Sequence, residues 1–184
     1  MLLPSSGGVA LRPPLVELIT PVGAASRGSA GISALAGKVA AAVDGGVNLV
    51  QLRDPTSSAA DAAALAAELR YVTRGKSLFV INGDPTLAVS CDADGVHLPE
   101  RMIGDLSTVR FLGAARGDGK RSGKALSFLI GCSVHSVAAA AAAAAAGADY
   151  VQVGTMFETA SHPGKEPEGT ALMAAVCAHL RQQG

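Results

Sequence analysis

The stretch Gly147-Ala148-Asp149-Tyr150-Val151-Gln152-Val153-Gly154 joins a helix-ending glycine directly to a short apolar strand. Two earlier stretches have the same form, Asp44-Gly-Gly-Val-Asn-Leu-Val-Gln-Leu and Ala93-Asp-Gly-Val-His-Leu. A glycine or Asp-Gly pair that ends a helix and leads at once into a strand is the αβ turn of a repeated βα unit. The chain is therefore predicted to alternate between helix and strand.

Short apolar runs alternate with alanine-rich helical stretches from Leu15 to the end of the chain. Because parallel neighbours need a helical crossover between them, the alternation predicts an α/β protein with a parallel sheet. Periodicity leaves open a doubly wound sheet or a barrel, and the lack of GxGxxG after the first strand counts against a dinucleotide-binding fold. The predicted strands are 15–20, 47–53, 77–82, 95–98, 126–133 and 150–153, and the predicted helices are 32–43, 56–73 (with Ser57 or Ser58 as N-cap), 85–90, part of 104–112, 137–146 and 170–181.

The bulk composition indicates one globular domain. The 184 residues are 49% hydrophobic and only 3% aromatic, which predicts a core of Ala, Val, Leu and Ile. Residues 1–14 are rich in Pro, Ser and Gly and are predicted to be disordered, so the domain spans 15–184. A loop is expected at 116–124, where glycine and charge dominate.

Charge and cysteine content restrict the partners and the compartment. The formal net charge is zero and the basic residues form no dense run, so neither nucleic acid nor a membrane is an expected partner. Three cysteines without CxxC spacing predict free thiols in a reducing compartment, the cytoplasm or alternatively an organelle stroma. The four histidines lack the spacing of zinc ligands, so no metal site is predicted from them.

Polar side chains stand where the predicted strands end. In a parallel barrel these ends share one rim, so residues distant in sequence meet around one pocket. Arg53 offers a planar fork for phosphate or carboxylate, and Asn82 can bond a ring nitrogen or an amine. The predicted site residues are Gln51, Arg53, Asn82, His97, Ser133 and His135, with Thr159, Ser161, His162 and Lys165 in the loop after the last strand.

Structural roles compete with functional ones at several of these positions. Gln51 lies in an apolar strand, where it could simply satisfy buried backbone groups. His97 is as readily a packed, hydrogen-bonded core histidine as a ligand contact, and His135 could only cap the helix that follows it. Asp94 is expected to stabilise its turn and is given no chemical role.

The strand-end phrases together resemble the thiamine-phosphate synthase/TenI family. They are Leu18-Ile-Thr-Pro, Gly46-Val-Asn-Leu-Val-Gln-Leu-Arg-Asp, Phe79-Val-Ile-Asn-Gly-Asp-Pro-Thr-Leu-Ala, Ala93-Asp-Gly-Val-His-Leu-Pro-Glu, Gly131-Cys-Ser-Val-His-Ser and the loop from Gly147 to Lys165. The resemblance implies a TIM (β/α)8-type barrel that acts in thiamin biosynthesis on a thiazole phosphate. Only about six βα units are recognisable, so we expect an incomplete barrel, either a truncated copy or one completed by a second chain, with a homodimer as one possibility.

The resemblance covers two branches. The synthase joins hydroxymethylpyrimidine diphosphate to thiazole phosphate with magnesium, and the metal-free TenI branch isomerises a thiazole carboxylate phosphate. Three groups of the synthase pattern are replaced here, by Gly83, by Pro55 and by a residue near Met102, and Asp84 and Glu100 are the nearby carboxylates that could substitute.

The resemblance therefore predicts a TenI-like thiazole isomerase (tautomerase) that takes a small phosphorylated substrate and needs no cofactor. A thiamine-phosphate synthase with Mg²⁺ is the alternative, and a non-catalytic family member is the second alternative. His162 and His135 are the predicted catalytic residues. The predicted substrate-binding residues are Gln51, Arg53, Asn82, His97, Ser133, Thr159, Ser161 and Lys165.

Overall fold

Strands and helices alternate throughout the part of the chain that the computed structural model describes, residues 14–115, 128–158, 164 and 166–183. The strands are β1 (Glu17–Ile19), β2 (Leu49–Leu52), β3 (Leu78–Asn82), β4 (Gly95–Leu98), β5 (Leu129–Val134) and β6 (Tyr150–Val153). The α-helices are α1 (Gly28–Asp44), α2 (Ala59–Thr73), α3 (Pro85–Ser90), α4 (Leu106–Ala114), α5 (Val137–Ala145) and α6 (Gly169–Gln183), and 3₁₀ turns lie at Ala25–Arg27 and Glu100–Asp105.

The order of the strands in the sheet decides the class of fold. All six strands are parallel and lie in the order β1-β2-β3-β4-β5-β6. A doubly wound sheet reverses its strand order at a switch point, whereas a (β/α) barrel adds each strand beside the previous one. The sheet is therefore part of a TIM-type barrel, as the resemblance implies.

The sheet is strongly curved. The side-chain amide of Gln152 on β6 donates a hydrogen bond to the carboxylate of Glu17 on β1. In a flat sheet these two strands would lie about 24 Å apart, since neighbouring strands are spaced about 4.8 Å. The contact is possible only because the strands curl around a shared interior, to which Glu17 and Gln152 both point.

The two faces of the sheet have different cores. The outward side chains, such as Phe79 and Ile81, pack with the buried residues of the helices, such as Leu65 and Leu69, in the main hydrophobic core. Each side chain of this size contributes about 1.5–3 kcal/mol when fully buried. The inward face carries a smaller apolar cluster: Leu49, Val80, Leu129 and Tyr150.

A polar residue precedes every second strand and holds the strand before it. The Oδ1 atom of Asn48 accepts the backbone N–H of Val16 at 2.9 Å, ahead of β2. Asp94 accepts the N–H of Phe79 at 2.8 Å ahead of β4, and Asp149 accepts that of Ile130 at 2.7 Å ahead of β6. These three contacts fix neighbouring strands in register at their N-terminal ends, which we call the lower end of the sheet.

Two of these acids also anchor a helix. Arg70 of α2 binds both carboxylate oxygens of Asp94, at 2.8 and 3.3 Å, and the two side chains are only 6% and 9% exposed. Arg110 of α4 binds Asp149 at 3.0 Å. The expectation that Asp94 merely stabilises its own turn was therefore too narrow, because its carboxylate joins β3, β4 and α2.

Side-chain caps explain where three of the helices begin. Ser58, Asp84 and Ser136 are the N-caps of α2, α3 and α5, and each accepts the backbone N–H three residues later. The prediction of Ser58 as a cap and the predicted bounds 85–90, 95–98 and 150–153 are confirmed. Alanine, with its high helix propensity, continues α5 to the glycine turn at Gly147, whose φ is +89°.

Other predicted boundaries were wrong. Helix α1 begins at Gly28, before the predicted residue 32, because Gly31 lets the helix pass close to the carbonyl of Ala24. The helix predicted over part of 104–112 is present as α4, although it starts directly after a 3₁₀ turn and continues to Ala114. Helix α6 is longer than predicted, and strands β1, β2, β3 and β5 differ from their predicted bounds by a few residues.

Some expectations fall on other parts of the chain. Residues 1–13 of the predicted N-terminal segment, the predicted loop at 116–124 and the first residues of the predicted strand 126–133 lie outside the described residues. The carbonyl of Pro14 accepts a hydrogen bond from Asn48 at 2.9 Å. Among the described helices, none has the length and apolar character to cross a membrane.

Candidate functional site

The C-terminal ends of the strands, which we call the upper rim, carry polar side chains on the inward face. Strand register places Gln51 beside Val80, Asn82 beside His97, and Ser133 beside Gln152. Paired residues of neighbouring strands point to the same face of a sheet. The structure thus brings together four of the predicted residues: Gln51, Asn82, His97 and Ser133.

One polar group of the interior joins β1, β2 and β6. The Nε2 atom of Gln152 donates to Glu17 and, at 3.3 Å, to Oε1 of Gln51, which is 2% exposed. Burial raises the pKa of Glu17 above its usual value, although the bond from Gln152 works in the opposite direction. Among the described residues, Oε1 of Glu17 is buried without a hydrogen-bond partner.

A second group joins β4, β5 and β6. The His97 ring is completely buried, and its Nε2 lies 2.9 Å from Oγ of Ser133 while its Nδ1 lies 3.2 Å from the hydroxyl of Tyr150. Burial lowers the pKa of His97 to about 4, so the ring is neutral at physiological pH. His97 is thus a buried histidine that is hydrogen-bonded to the rim residue Ser133.

Arg53 lies beyond Gln51 toward the upper rim. Its backbone is held by a hydrogen bond, and its side chain is available to bind a ligand. Its backbone N–H donates to Oγ1 of the buried Thr20 at 2.9 Å, which locks the ends of β1 and β2 together. Within the described residues its guanidinium has no hydrogen-bond or ion-pair partner. A fixed backbone with an available planar fork suits the binding of a phosphate or carboxylate.

The carboxylate of Asp54 holds the loop after β1 through hydrogen bonds. Its carboxylate accepts the backbone N–H of Gly23 at 3.1 Å and the hydroxyl of Thr56 at 2.9 Å. Burial alone would raise the pKa of Asp54, but hydrogen bonds from Ser57, Thr56 and Gly23 together lower it. Asp54 therefore remains an anion that supports the rim next to Arg53.

His135 lies on the rim and is hydrogen-bonded to Glu100. Its Nδ1 is 2.9 Å from Oε2 of Glu100, which also accepts its backbone N–H at 2.7 Å. The cap of α5 is Ser136, so the idea that His135 only caps the helix was wrong. Since Nδ1–H donates to the carboxylate, the Nε2 atom of the neutral ring is left as the proton acceptor.

The two carboxylates considered as metal ligands both have structural contacts. Oδ1 of Asp84 accepts the backbone N–H of Leu87 at 2.9 Å, and Glu100 binds His135 through Oε2. The second oxygen of each carboxylate has no hydrogen-bond partner within the described residues. Over the same residues, no group of three or more His, Cys, Asp or Glu side chains is placed to hold a metal ion.

Four predicted residues cannot be placed. Thr159, Ser161, His162 and Lys165 lie outside the described residues, so their roles remain predictions. The described start of the same loop is anchored, since the backbone N–H of Glu168 donates to the carbonyl of Thr155 at 2.7 Å.

Three interior residues were missed from the sequence: Glu17, Tyr150 and Gln152. Gln152 had a usable signal, because the phrase Val-Gln-Val repeats the Val-Gln-Leu that contains Gln51. Glu17 and Tyr150 look like ordinary strand residues in the sequence. Only the curvature of the sheet, which brings β1 and β6 together, shows their contacts.

A family model described as thiamine monophosphate synthase (TMP-TENI) matches residues 26–182, which include all strands from β2 to β6. The chain belongs to this family. The family resemblance inferred from the strand-end phrases is thereby confirmed, at the level of thiamine-phosphate synthase and TenI together.

Several relatives carry the same description. The chain is 36% identical over 147 residues to a thiamine-phosphate synthase of Geobacillus thermodenitrificans, covering 78% of this chain and 59% of the relative. It is 35% identical over 165 residues to that of Roseiflexus sp., covering 89% and 60%. A putative thiamine-phosphate synthase 2 of Aquifex aeolicus is 33% identical over 132 residues, covering 71% and 64%. The chain thus spans about three fifths of the length of these relatives.

A solved structure supports the fold. Thiamine phosphate pyrophosphorylase from Pyrococcus furiosus superposes with a TM-score of 0.64, covering 88% of this chain and 68% of that one, at 22% identity. The likeness confirms the α/β barrel architecture, of which six parallel strands are described here.

Proposed function

We propose that this protein acts in thiamine biosynthesis as a thiamine-phosphate synthase, joining hydroxymethylpyrimidine diphosphate to thiazole phosphate with release of diphosphate. The observation that carries the proposal is the meeting of Gln51, Asn82 and Ser133 on the inward face of one rim, with Arg53 above them. The relatives named thiamine-phosphate synthase favour this reaction over the TenI-type isomerisation.

The substrate contact proposed for each side chain follows from the chemistry of that side chain. Arg53 binds a phosphate group, because its guanidinium offers two parallel donors. Gln51 and Asn82 hydrogen-bond the uncharged ring atoms of the pyrimidine. Thr159, Ser161 and Lys165 are proposed to donate to phosphate oxygens from the loop that follows β6.

A synthase of this kind uses magnesium, and the rim has carboxylates that suit it. Mg²⁺ bound with a diphosphate needs only one or two protein carboxylates, since phosphate oxygens and water supply the other ligands. Asp84 and Glu100, each with one oxygen free of described partners, are the proposed ligands. The ion would neutralise negative charge on the departing diphosphate.

The test is the formation of thiamine phosphate by purified protein from the two substrates, over a range of Mg²⁺ concentrations and with EDTA. Magnesium-dependent product with equal release of diphosphate is the expected result. Asp84→Asn should raise the Mg²⁺ concentration needed for half-maximal activity, whereas the control Asp105→Asn, at an exposed residue of the 3₁₀ turn, should leave it unchanged. Folded protein that forms no thiamine phosphate at any Mg²⁺ concentration would rule the synthase out.

The His135–Glu100 pair favours a second candidate, a metal-free TenI-like thiazole tautomerase. Glu100 orients the imidazole through Nδ1 and leaves its Nε2 available to accept a proton, as a general base requires. The base would take a proton from one ring carbon of a thiazole carboxylate phosphate and the conjugate acid would return it at another position. His162 is proposed as the second proton-transferring residue.

The tautomerase is tested with the thiazole carboxylate phosphate in the presence of EDTA. Aromatisation that His135→Gln abolishes and His179→Gln leaves intact would support it, since His179 lies on α6 and bonds to Gln183. Unchanged substrate with wild-type protein would eliminate this candidate without affecting the first.

A further inference from the structure

The Tyr150 hydroxyl reaches the middle of the sheet because the neighbouring strand has a glycine there. Tyr150 pairs in register with Gly131, and a Cβ atom on Gly131 would overlap the phenol ring. The tyrosine is 3% exposed, and its ring centroid lies 5.6 Å from that of His97. Its hydroxyl is thereby brought to 3.2 Å from the Nδ1 atom of His97.

The position of each proton in this group follows from burial and from the number of partners. Burial raises the pKa of Tyr150 well above its usual value, so the phenol keeps its proton, while His97 is neutral. Within the described residues, Nδ1 of His97 is the one hydrogen-bond partner of the Tyr150 hydroxyl. A buried hydroxyl donates where it can, so Tyr150 donates to Nδ1 and His97 carries its single proton on Nε2.

This tautomer determines what Ser133 can do. The Nε2–H group of His97 donates to Oγ of Ser133 at 2.9 Å. Ser133 therefore accepts on its inner side, and its own proton is left for a group at the rim. Its side chain is half-buried beside Gln152, and it has no other hydrogen-bond partner within the described residues.

We infer that Tyr150 and His97 are positioning residues that turn Ser133 into a dedicated hydrogen-bond donor to an acceptor atom of the bound substrate. The inference deepens the proposed function and rests on it for the identity of the substrate. A fixed donor binds an atom that only accepts, such as a pyrimidine ring nitrogen or a phosphate oxygen. A substrate group that carries a proton at the same place would be rejected, because two donors would face each other.

The tautomer of His97 is measured directly by NMR on protein with ¹⁵N-labelled histidine. The expected spectrum shows a neutral His97 with its proton on Nε2 at neutral pH, and loss of this preference in Tyr150→Phe. A proton on Nδ1 in the unchanged protein would overturn the inference. This measurement needs no substrate, so it stands whether or not the protein makes thiamine phosphate.

The effect on the substrate is measured by a double-mutant cycle. Tyr150→Phe should reduce kcat/KM by roughly three- to tenfold, the loss expected for one neutral hydrogen bond, through the KM of whichever substrate Ser133 contacts. The same change should have almost no further effect in Ser133→Ala protein, because Tyr150 acts only through Ser133. Equal losses in both backgrounds would contradict the relay and show a general structural effect.

Separate titrations show which of the two substrates Ser133 contacts. A raised KM for hydroxymethylpyrimidine diphosphate alone supports a contact to the pyrimidine substrate, and a raised KM for thiazole phosphate alone supports a contact to the thiazole substrate. Tyr71→Phe is the matched control, because Tyr71 is 82% exposed on α2. If Tyr150→Phe fails to fold, the His97 tautomer of the unchanged protein decides the question.

Discussion

The lower and upper ends of the sheet use polar residues in opposite ways. At the lower end, the charged groups of Arg70 and Asp94 form a bidentate ion pair that is almost completely buried. At the upper rim, Arg53 and Ser133 keep hydrogen-bonding capacity that no described residue uses. The comparison indicates that one end of each strand stabilises the fold while the other end is kept available for a ligand, as in other βα-barrels.

The largest effect is expected at the lower end. Arg70→Met removes one member of a buried ion pair and leaves the Asp94 carboxylate without its bidentate partner, which should cost about 3–5 kcal/mol of unfolding free energy. Lys76→Met is the control, because its pair with Asp44 has 56% and 65% exposed side chains and should contribute less than about 1 kcal/mol. Urea unfolding measures both, and similar losses would refute the assigned role of the buried pair.

The next effect depends on pH and concerns the interior. Because the pKa of His97 falls from 6.5 to about 4 on folding, the unfolded chain binds a proton there first as the pH decreases. The fold should therefore lose about 3 kcal/mol between pH 6.5 and 4 through this residue alone. Unfolding curves measured across this pH range should show the loss in the wild type but not in His97→Gln. If the free energy of unfolding fell equally with pH in both proteins, the assignment to His97 would be contradicted.

A smaller effect, confined to function, is expected at the rim. Arg53→Ala should raise the KM for a phosphorylated substrate roughly 10- to 100-fold, the loss of one charge-assisted contact, with little change in stability. Arg101→Ala, at an exposed residue of the 3₁₀ turn, is the matched control. A large drop in melting temperature with unchanged KM would place Arg53 with the stabilising residues instead.

The smallest effect is a gain in stability. Burial raises the pKa of Glu17, so this residue's contribution to stability is present at low pH and is lost as the pH rises through its folded pKa. Glu17→Gln cannot ionise and should raise the melting temperature by about 2–4 °C above that pH, the shift that 1 kcal/mol produces in a domain of this size. Glu68→Gln, on the exposed face of α2, is the control and should give no gain. Equal melting temperatures for the wild type, Glu17→Gln and Glu68→Gln would contradict the burial of the Glu17 carboxyl.

Features with local signals could be predicted from the sequence. The helix at Pro85–Ser90 follows an aspartate cap and begins with a proline, and the strand at Gly95–Leu98 begins at the glycine of an Asp-Gly pair, so both bounds were predicted correctly. The order of the strands was not predictable from periodicity, because a doubly wound sheet and a barrel have the same alternation of helix and strand. The family resemblance predicted the barrel, and the observed strand order agrees with that prediction.

The site was predictable only where strand ends mark it. Gln51, Asn82 and Ser133 follow from the rule that parallel strands end on one rim. The contacts of Glu17 with Gln152, and of Tyr150 with His97, depend on the curvature of the sheet and on the space left by Gly131. Such contacts are set by tertiary packing, which leaves no mark in the local sequence.

The sequential strand order also bears on how the chain folds during synthesis. Each ladder joins a strand to the next one made, and the Arg70–Asp94 and Arg110–Asp149 pairs close after 24 and 39 residues. The bond between Gln152 and Glu17 spans 135 residues and has to wait for β6. A nascent chain can therefore consolidate each unit as it leaves the ribosome, and the contact between β1 and β6 forms only after these units.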